Sequence, residues 1–103
     1  MKTSKAPDHL VFYKKANCAP CAQASLALDY VLKINPEYEP YITVLQKEDH
    51  PDLVKANDLS LYPTVLIVDK QGNEISRKVG GKFLTHEWFN AALYAIHRRH
   101  TDA

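Results

Sequence analysis

Apolar and polar positions follow two different periods along this chain of 103 residues. His9–Tyr13 (H-L-V-F-Y) is a short, nearly continuous apolar run. It is too short for a helix and rich in strand formers, which predicts a strand buried on both faces. From Cys18 to Ile34 the period lengthens. Ala24, Ala27, Leu28, Val31 and Leu32 recur at three- and four-residue spacing, which predicts an amphipathic helix. Alanine and leucine are strong helix formers. Pro20 falls in the first turn, where its missing N–H is harmless, and Asn35-Pro36 ends the run. Asn35 to Pro40, with two prolines and two glutamates, reads as a surface connection.

Tyr41–Gln46 (Y-I-T-V-L-Q) is a second predicted strand. Two strands joined by a helix of this length form a βαβ unit, with parallel pairing and a right-handed crossover. Asp49-His50-Pro51 opens a short helix, with Asp49 or His50 at the N-cap and Pro51 at the first helical position. Leu53, Val54 and Ala56 are its expected buried side. Val65–Val68 (V-L-I-V) is apolar throughout, which predicts a central strand. Asp69-Lys70-Gln71-Gly72-Asn73 predicts a hairpin turn with a positive φ at Gly72. In Glu74–Val79, Ile75 and Val79 alternate with polar Glu74, Ser76 and Lys78, as at an edge with one solvated side. Gly80-Gly81 breaks that strand. A last helix begins near Thr85 as N-cap, with Glu87 favourable in its first turn. Trp88, Phe89, Ala92, Leu93 and Ile96 are its core face, and His97, Arg98, Arg99 and His100 suit its C-terminal end. Residues 1–8 read as a flexible lead-in, leaving a single domain over 9–103.

The formal net charge of +1 supplies no large field to attract nucleic acid or a membrane surface. No apolar run approaches a transmembrane span, and the polar N-terminus lacks the apolar core of a secretory signal. The length suffices to bury a core without structural disulfides or metals. The expectation is a soluble, cytoplasmic monomer. In that setting a lone cysteine pair points to catalysis or metal binding rather than a structural staple.

That pair is Cys18 and Cys21, in Asn17-Cys18-Ala19-Pro20-Cys21, at the junction of the first strand and first helix. Two thiols at this spacing on a first helical turn can close into a disulfide and open again. Unpaired N–H groups and the macrodipole favour an anion there, and Lys14 and Lys15 add positive charge. These effects make Cys18 the expected nucleophile, because the thiolate is the attacking species. Cys21, deeper in the helix, is the expected resolving thiol. Pro20 stiffens the loop between them. Two other readings stay open: an inert buried thiol pair, and half of a metal site. Tetrahedral zinc wants four ligands, so a metal would need a dimer sharing four thiols; no metal is expected in a single chain.

The predicted order βαβ–α–ββα, the C-A-P-C at the first strand-to-helix junction, Tyr62-Pro63-Thr64 opening the third strand, and V-G-G before the last helix together resemble the thioredoxin-like fold. Thioredoxins and glutaredoxins share that fold, and the resemblance covers about residues 9–97. It implies an α/β protein with a four-stranded mixed sheet in the order 2-1-3-4 and three flanking helices. It also implies a thiol–disulfide oxidoreductase without a bound cofactor, acting on protein disulfides. Its reductant would be a thioredoxin-reductase-type enzyme or glutathione. On the same resemblance Pro63 is a cis-proline facing the disulfide. Tyr62 beside it would offer its backbone to an extended substrate, and its ring could cover the disulfide.

Neither subfamily is matched throughout. The thioredoxin tryptophan before the first cysteine is Asn17 here, the buried acid is Phe12, and the lysine partner of that acid is Val44. Lys15, Gly80 and Gly81 resemble glutaredoxin positions that hold glutathione. The glutaredoxin tyrosine between the cysteines is absent, and Lys82-Phe83 stands in place of the acidic pair after the double glycine. Two alternatives therefore accompany the main reading: a glutathione-dependent enzyme, and a binding or regulatory module that keeps the fold without catalysis. Plainer roles also exist for single residues. Lys14 suits a solvated loop, Gly80-Gly81 an ordinary turn, Trp88 the core, and His97–His100 a helix cap.

Overall fold

A computed structural model describes residues 8–102 of the chain. Strand β1 (His9–Lys14) leads into helix α1 (Ala19–Ile34), a 3-10 segment (Pro36–Tyr41) and β2 (Ile42–Gln46). A 3-10 turn (Lys47–Asp49), helix α2 (Pro51–Ala56), β3 (Thr64–Val68), β4 (Glu74–Val79) and α3 (His86–Asp102) follow. The sheet order is β2-β1-β3-β4, as the resemblance implies. β1 runs parallel to β2, with Phe12 beside Val44, and antiparallel to β3, with Phe12 opposite Val65. β4 completes the edge, antiparallel to β3.

The strand alternation of side chains sorts the interior into two clusters. On one face Leu10, Phe12, Val65 and Ile67 meet Ala24, Leu28 and Val31 of α1 and Phe89, Leu93 and Ile96 of α3. On the other face Tyr13, Leu59 and Leu66 gather, with Val54 of α2 and Tyr62 packed against them. The predicted helix stripes are therefore the buried ones. Phe12 and Phe89 meet edge to face with ring centroids 6.0 Å apart, a favoured aromatic geometry. Thr85 caps α3 by accepting the Trp88 N–H on Oγ1 at 3.1 Å. Gly72 has φ +88°, the left-handed conformation expected of the hairpin. No helix among the described residues is long and apolar enough to cross a membrane.

Several expectations need correction. Residues 1–7 of the expected lead-in lie outside the described residues. Asp8, however, is buried and ion-pairs with Arg99 at 3.1 Å. Its carbonyl lies 3.1 Å from His100 Nε2. His97 Nδ1 sits 2.8 Å from Tyr41 OH, and the His100 ring stacks on Tyr41 at 4.2 Å. These histidines thus tie α3 to the chain start and the 3-10 segment, while Arg99 and His100 lie in the last turn of α3 as expected. That segment is more than a surface connection, because Tyr38 drops into the core. Tyr41 belongs to it and not to β2. In α2 no residue is fully buried. Leu53 stays 39% exposed, leaving Val54 as the packed residue. The α2 N-cap is His50, with no side-chain cap bond.

Ile75 is 52% exposed rather than inward-facing. The β3–β4 register slips there, with Ile67 opposite Ser76 and Val68 opposite Glu74. Ile75 is the extra residue of a bulge, which removes it from the alternation. Arg77 secures this edge by pairing with Glu74 at 2.7 Å and donating to the Asn57 carbonyl at 2.9 Å.

Because Phe89 is fully buried and joins both helices to the sheet, Phe89→Ala is expected to lower the unfolding free energy by about 3–5 kcal/mol. Urea denaturation measures this. An unchanged midpoint would show that the site collapses without cost.

Candidate active site

The turn from β1 into α1 sets the geometry. Asn17 has φ +53°, and asparagine is among the few non-glycine residues that enter this region readily. The turn places Cys18 at the N-cap, with extended backbone at φ −126° and ψ 101°. Its carbonyl accepts the first helical bond, from the Ala22 N–H at 3.1 Å. Its sulfur accepts the Cys21 N–H at 3.1 Å. Cys18 and Cys21 are joined by a disulfide, with Cα atoms 5.2 Å apart. Cys21 is 3% exposed and begins the buried stripe of α1, whereas Cys18 is partly exposed. One turn of helix thus separates an accessible sulfur from a covered one.

Two other loops close on this turn. The Tyr62–Pro63 peptide is cis, and the Pro63 side chain is buried. The Pro63 carbonyl accepts the Gly80 N–H at 2.8 Å. Gly80 has φ +101°, so it supplies a turn that other residues strain to make. Gly81 packs on the proline between the cysteines. A Cβ built on it would lie 2.8 Å from Pro20 Cβ and 3.0 Å from the Pro20 carbonyl oxygen. Pro20, Pro63, Gly80 and Gly81 are therefore brought together with the disulfide. Lys15 joins them from the other side. With Lys14, Ser25 and Gln46 it lines an open groove of about 330 Å³ that includes both cysteines.

Tyr62 is placed differently from the expectation of a ring over the disulfide. Its ring packs in the α2-side cluster, and its hydroxyl donates to the Leu59 carbonyl at 3.3 Å. Burial raises its phenol pKa, with the charge of Glu48 adding to the effect. Its backbone is the part of Tyr62 that adjoins Pro63.

Glu48 is a site residue that no periodicity signals. It comes from the 3-10 turn after β2, and its Oε2 accepts the Ala16 N–H at 3.2 Å. That bond, then its own N–H and the charges of Lys47 and Lys15, hold the carboxyl below its ordinary pKa. A glutamate that binds the amide two residues before Cys18 from 32 positions along the chain is found only by tertiary contact. Phe12, by contrast, carries no ionisable group and is 1% exposed inside the apolar cluster. Among the described residues no group of three or more His, Cys, Asp or Glu side chains converges to hold a metal ion.

No family model matches the chain, and no curated protein matches it by sequence. Solved structures do match in fold. Thioredoxin of Fasciola hepatica aligns at TM-score 0.69 and 14% identity, over 87% of this chain and 81% of that one. Reduced Schistosoma mansoni thioredoxin pre-protein gives 0.69 at 13% identity, over 89% and 81%. Chloroplastic thioredoxin z gives 0.65 at 21% identity, over 91% and 81%. The likeness establishes a thioredoxin-like fold.

Gly81→Ala is expected to push the Pro20 turn aside and lower the unfolding free energy by about 1–3 kcal/mol, as overpacking does. An unchanged thermal midpoint with an unchanged rate of bridge reduction would show the contact to be slack. The Glu48–Ala16 bond carries a pH dependence. A carboxyl whose folded pKa is lowered stabilises above its ordinary value of 4.5 and loses that contribution as pH falls through the folded value. Hydrogen-exchange protection of the Ala16 amide, corrected for intrinsic rate, is expected to decline below that pH. Glu48→Gln should flatten the decline, and equal profiles in both proteins would remove Glu48 as its cause.

Proposed function

We propose, from a thioredoxin-like fold that carries a bridged cysteine pair at a helix start, that this chain is a thiol–disulfide oxidoreductase acting on protein disulfides. The observation that carries the reading is the pairing of a partly exposed Cys18 at the α1 N-cap with a buried Cys21 one turn on. The reduced protein attacks first with the Cys18 thiolate. The Cys21 N–H that points at this sulfur and the start of the helix dipole favour the anion. Attack forms a Cys18–substrate bond and releases the other substrate sulfur as a thiolate. Cys21 then loses its proton and attacks Cys18, forming the Cys18–Cys21 bridge and releasing the second substrate thiolate. Two electrons pass to the substrate, whose two released thiolates take up protons from Cys21 or from solvent. No bound cofactor takes part.

Phe12 gives this chain no buried carboxyl to accept the Cys21 proton, so in this reading the proton passes to solvent or to the departing thiolate. The substrate lies across the groove beside Cys18, with its extended backbone paired to Tyr62 next to cis-Pro63, as an added strand pairs. The Gly80–Gly81 turn, pressed onto Pro20, leaves no side chain in the way.

A second reading keeps the site but changes the electron donor. Lys15 shares the groove with both cysteines and could hold a carboxylate of glutathione. One preparation assayed with a flavin-dependent thioredoxin reductase and, separately, in a glutathione-coupled system distinguishes the two.

Cys18→Ser is expected to abolish reduction of insulin disulfides, and Cys21→Ser to accumulate mixed disulfides that a reductant releases. Wild-type turnover by the Cys18→Ser protein would falsify the mechanism. Inactivity of the wild-type protein with every donor would favour the non-catalytic module.

A further inference from the structure

The chain is nearly neutral, with 13 Lys and Arg against 12 Asp and Glu, yet five of its lysines lie in the groove of the cysteines or beside residues that flank Pro63 and the Gly80–Gly81 turn. Lys14 and Lys15 line the groove that holds both cysteines. The Lys47 ammonium lies 5.3 Å from the centroid of the Tyr62 ring, next to cis-Pro63. Lys78 and Lys82 place their ammonium groups 5.9 and 5.8 Å from the Phe83 centroid. Phe83 follows the glycine pair that packs on Pro20, and its N–H donates to the Gly80 carbonyl at 3.1 Å. Against these five cations, Glu48 is the carboxylate bonded into the loop before Cys18.

The same rim exposes apolar surface. Phe83 is 53% exposed and Leu61, beside Tyr62, is 64% exposed. Cation–π attraction holds two ammonium groups at the Phe83 ring without covering it. Such an arrangement leaves positive groups beside two exposed apolar side chains on the loops that follow Gly81 and precede Pro63.

We propose that this rim selects the protein substrate: a disulfide carried in an acidic segment, with Asp or Glu flanking the cysteine and an apolar residue to meet Phe83. The inference rests on the oxidoreductase reading above and adds its specificity. Opposite charge on the segment raises the rate of encounter and orients the approach. The bond exchange itself is unchanged: two electrons move from the Cys18–Cys21 dithiol to the substrate, and its two sulfurs leave as thiols.

The test is single-turnover reduction by pre-reduced protein, which needs no external donor. Two peptide disulfides are compared, alike except that one has Asp and Glu flanking its cysteines and the other Lys. Each rate is divided by that peptide's rate with tris(hydroxypropyl)phosphine, an uncharged reductant, so intrinsic reducibility cancels. At low salt the acidic peptide is expected to react about tenfold faster or more, since electrostatic steering spans 10–10³. The ratio should approach one in high salt. The K47E/K78E/K82E protein should lose or invert the preference. A ratio rather than a rate is read, so an altered Cys18 reactivity cannot imitate the result. Equal rates for both peptides at low salt would overturn the rim proposal while leaving the oxidoreductase reading in place. A preference that persists in high salt would overturn it too. Failure to reduce either peptide would overturn both.

Discussion

Burying one stripe of α1 settles both the core and the chemistry. Cys21, Ala24, Leu28 and Val31 are the buried residues of that helix, and each lies three or four residues from the next. Once Ala24, Leu28 and Val31 pack on β1, β3 and α3, the helix cannot rotate without exposing them. Cys21 is thereby held inside. Cys18, at the N-cap, is held at the surface, where the helix leaves its first N–H groups unpaired. The inequality between the two sulfurs follows from helix periodicity and apolar burial, with no special device at the cysteines themselves.

The loops that finish the site depend on that same placement. Gly81 can press on Pro20 because the start of α1 is fixed. The Gly80 N–H can reach the Pro63 carbonyl because β3 and β4 are paired up to Thr64 and Val79. Bare of a side chain, Gly81 packs its backbone directly on Pro20, between the two cysteines. Lys14 and Lys15 line the groove with both cysteines, and Lys47, Lys78 and Lys82 lie near the Tyr62 and Phe83 rings.

At Phe12, where the thioredoxin resemblance would put an acid, the interior is apolar. Phe12 instead contributes its ring to Phe89. The exchange trades a buried ionisable group, which is costly to desolvate, for packing between β1 and α3. Glu48 anchors the Ala16 amide at the exposed side of the site, and its lowered pKa suits an acceptor of hydrogen bonds better than a base.

The sequence alone determined the order of elements, the buried faces of α1 and α3, and the position of the cysteines at a strand-to-helix junction. Those features are local: a period of three to four residues or an unbroken apolar run reports which side of a segment leaves water. The tertiary structure decided the rest. Asp8 finds Arg99, Glu48 finds Ala16, and Tyr62 turns its ring to the α2 side only because the sheet order brings those segments together. The Ile75 bulge is likewise decided between strands, since a register is a property of a pair and neither strand carries it by itself. Loops without periodicity hold their information in the contacts they close, and chain folding has to bring both halves of each contact into reach.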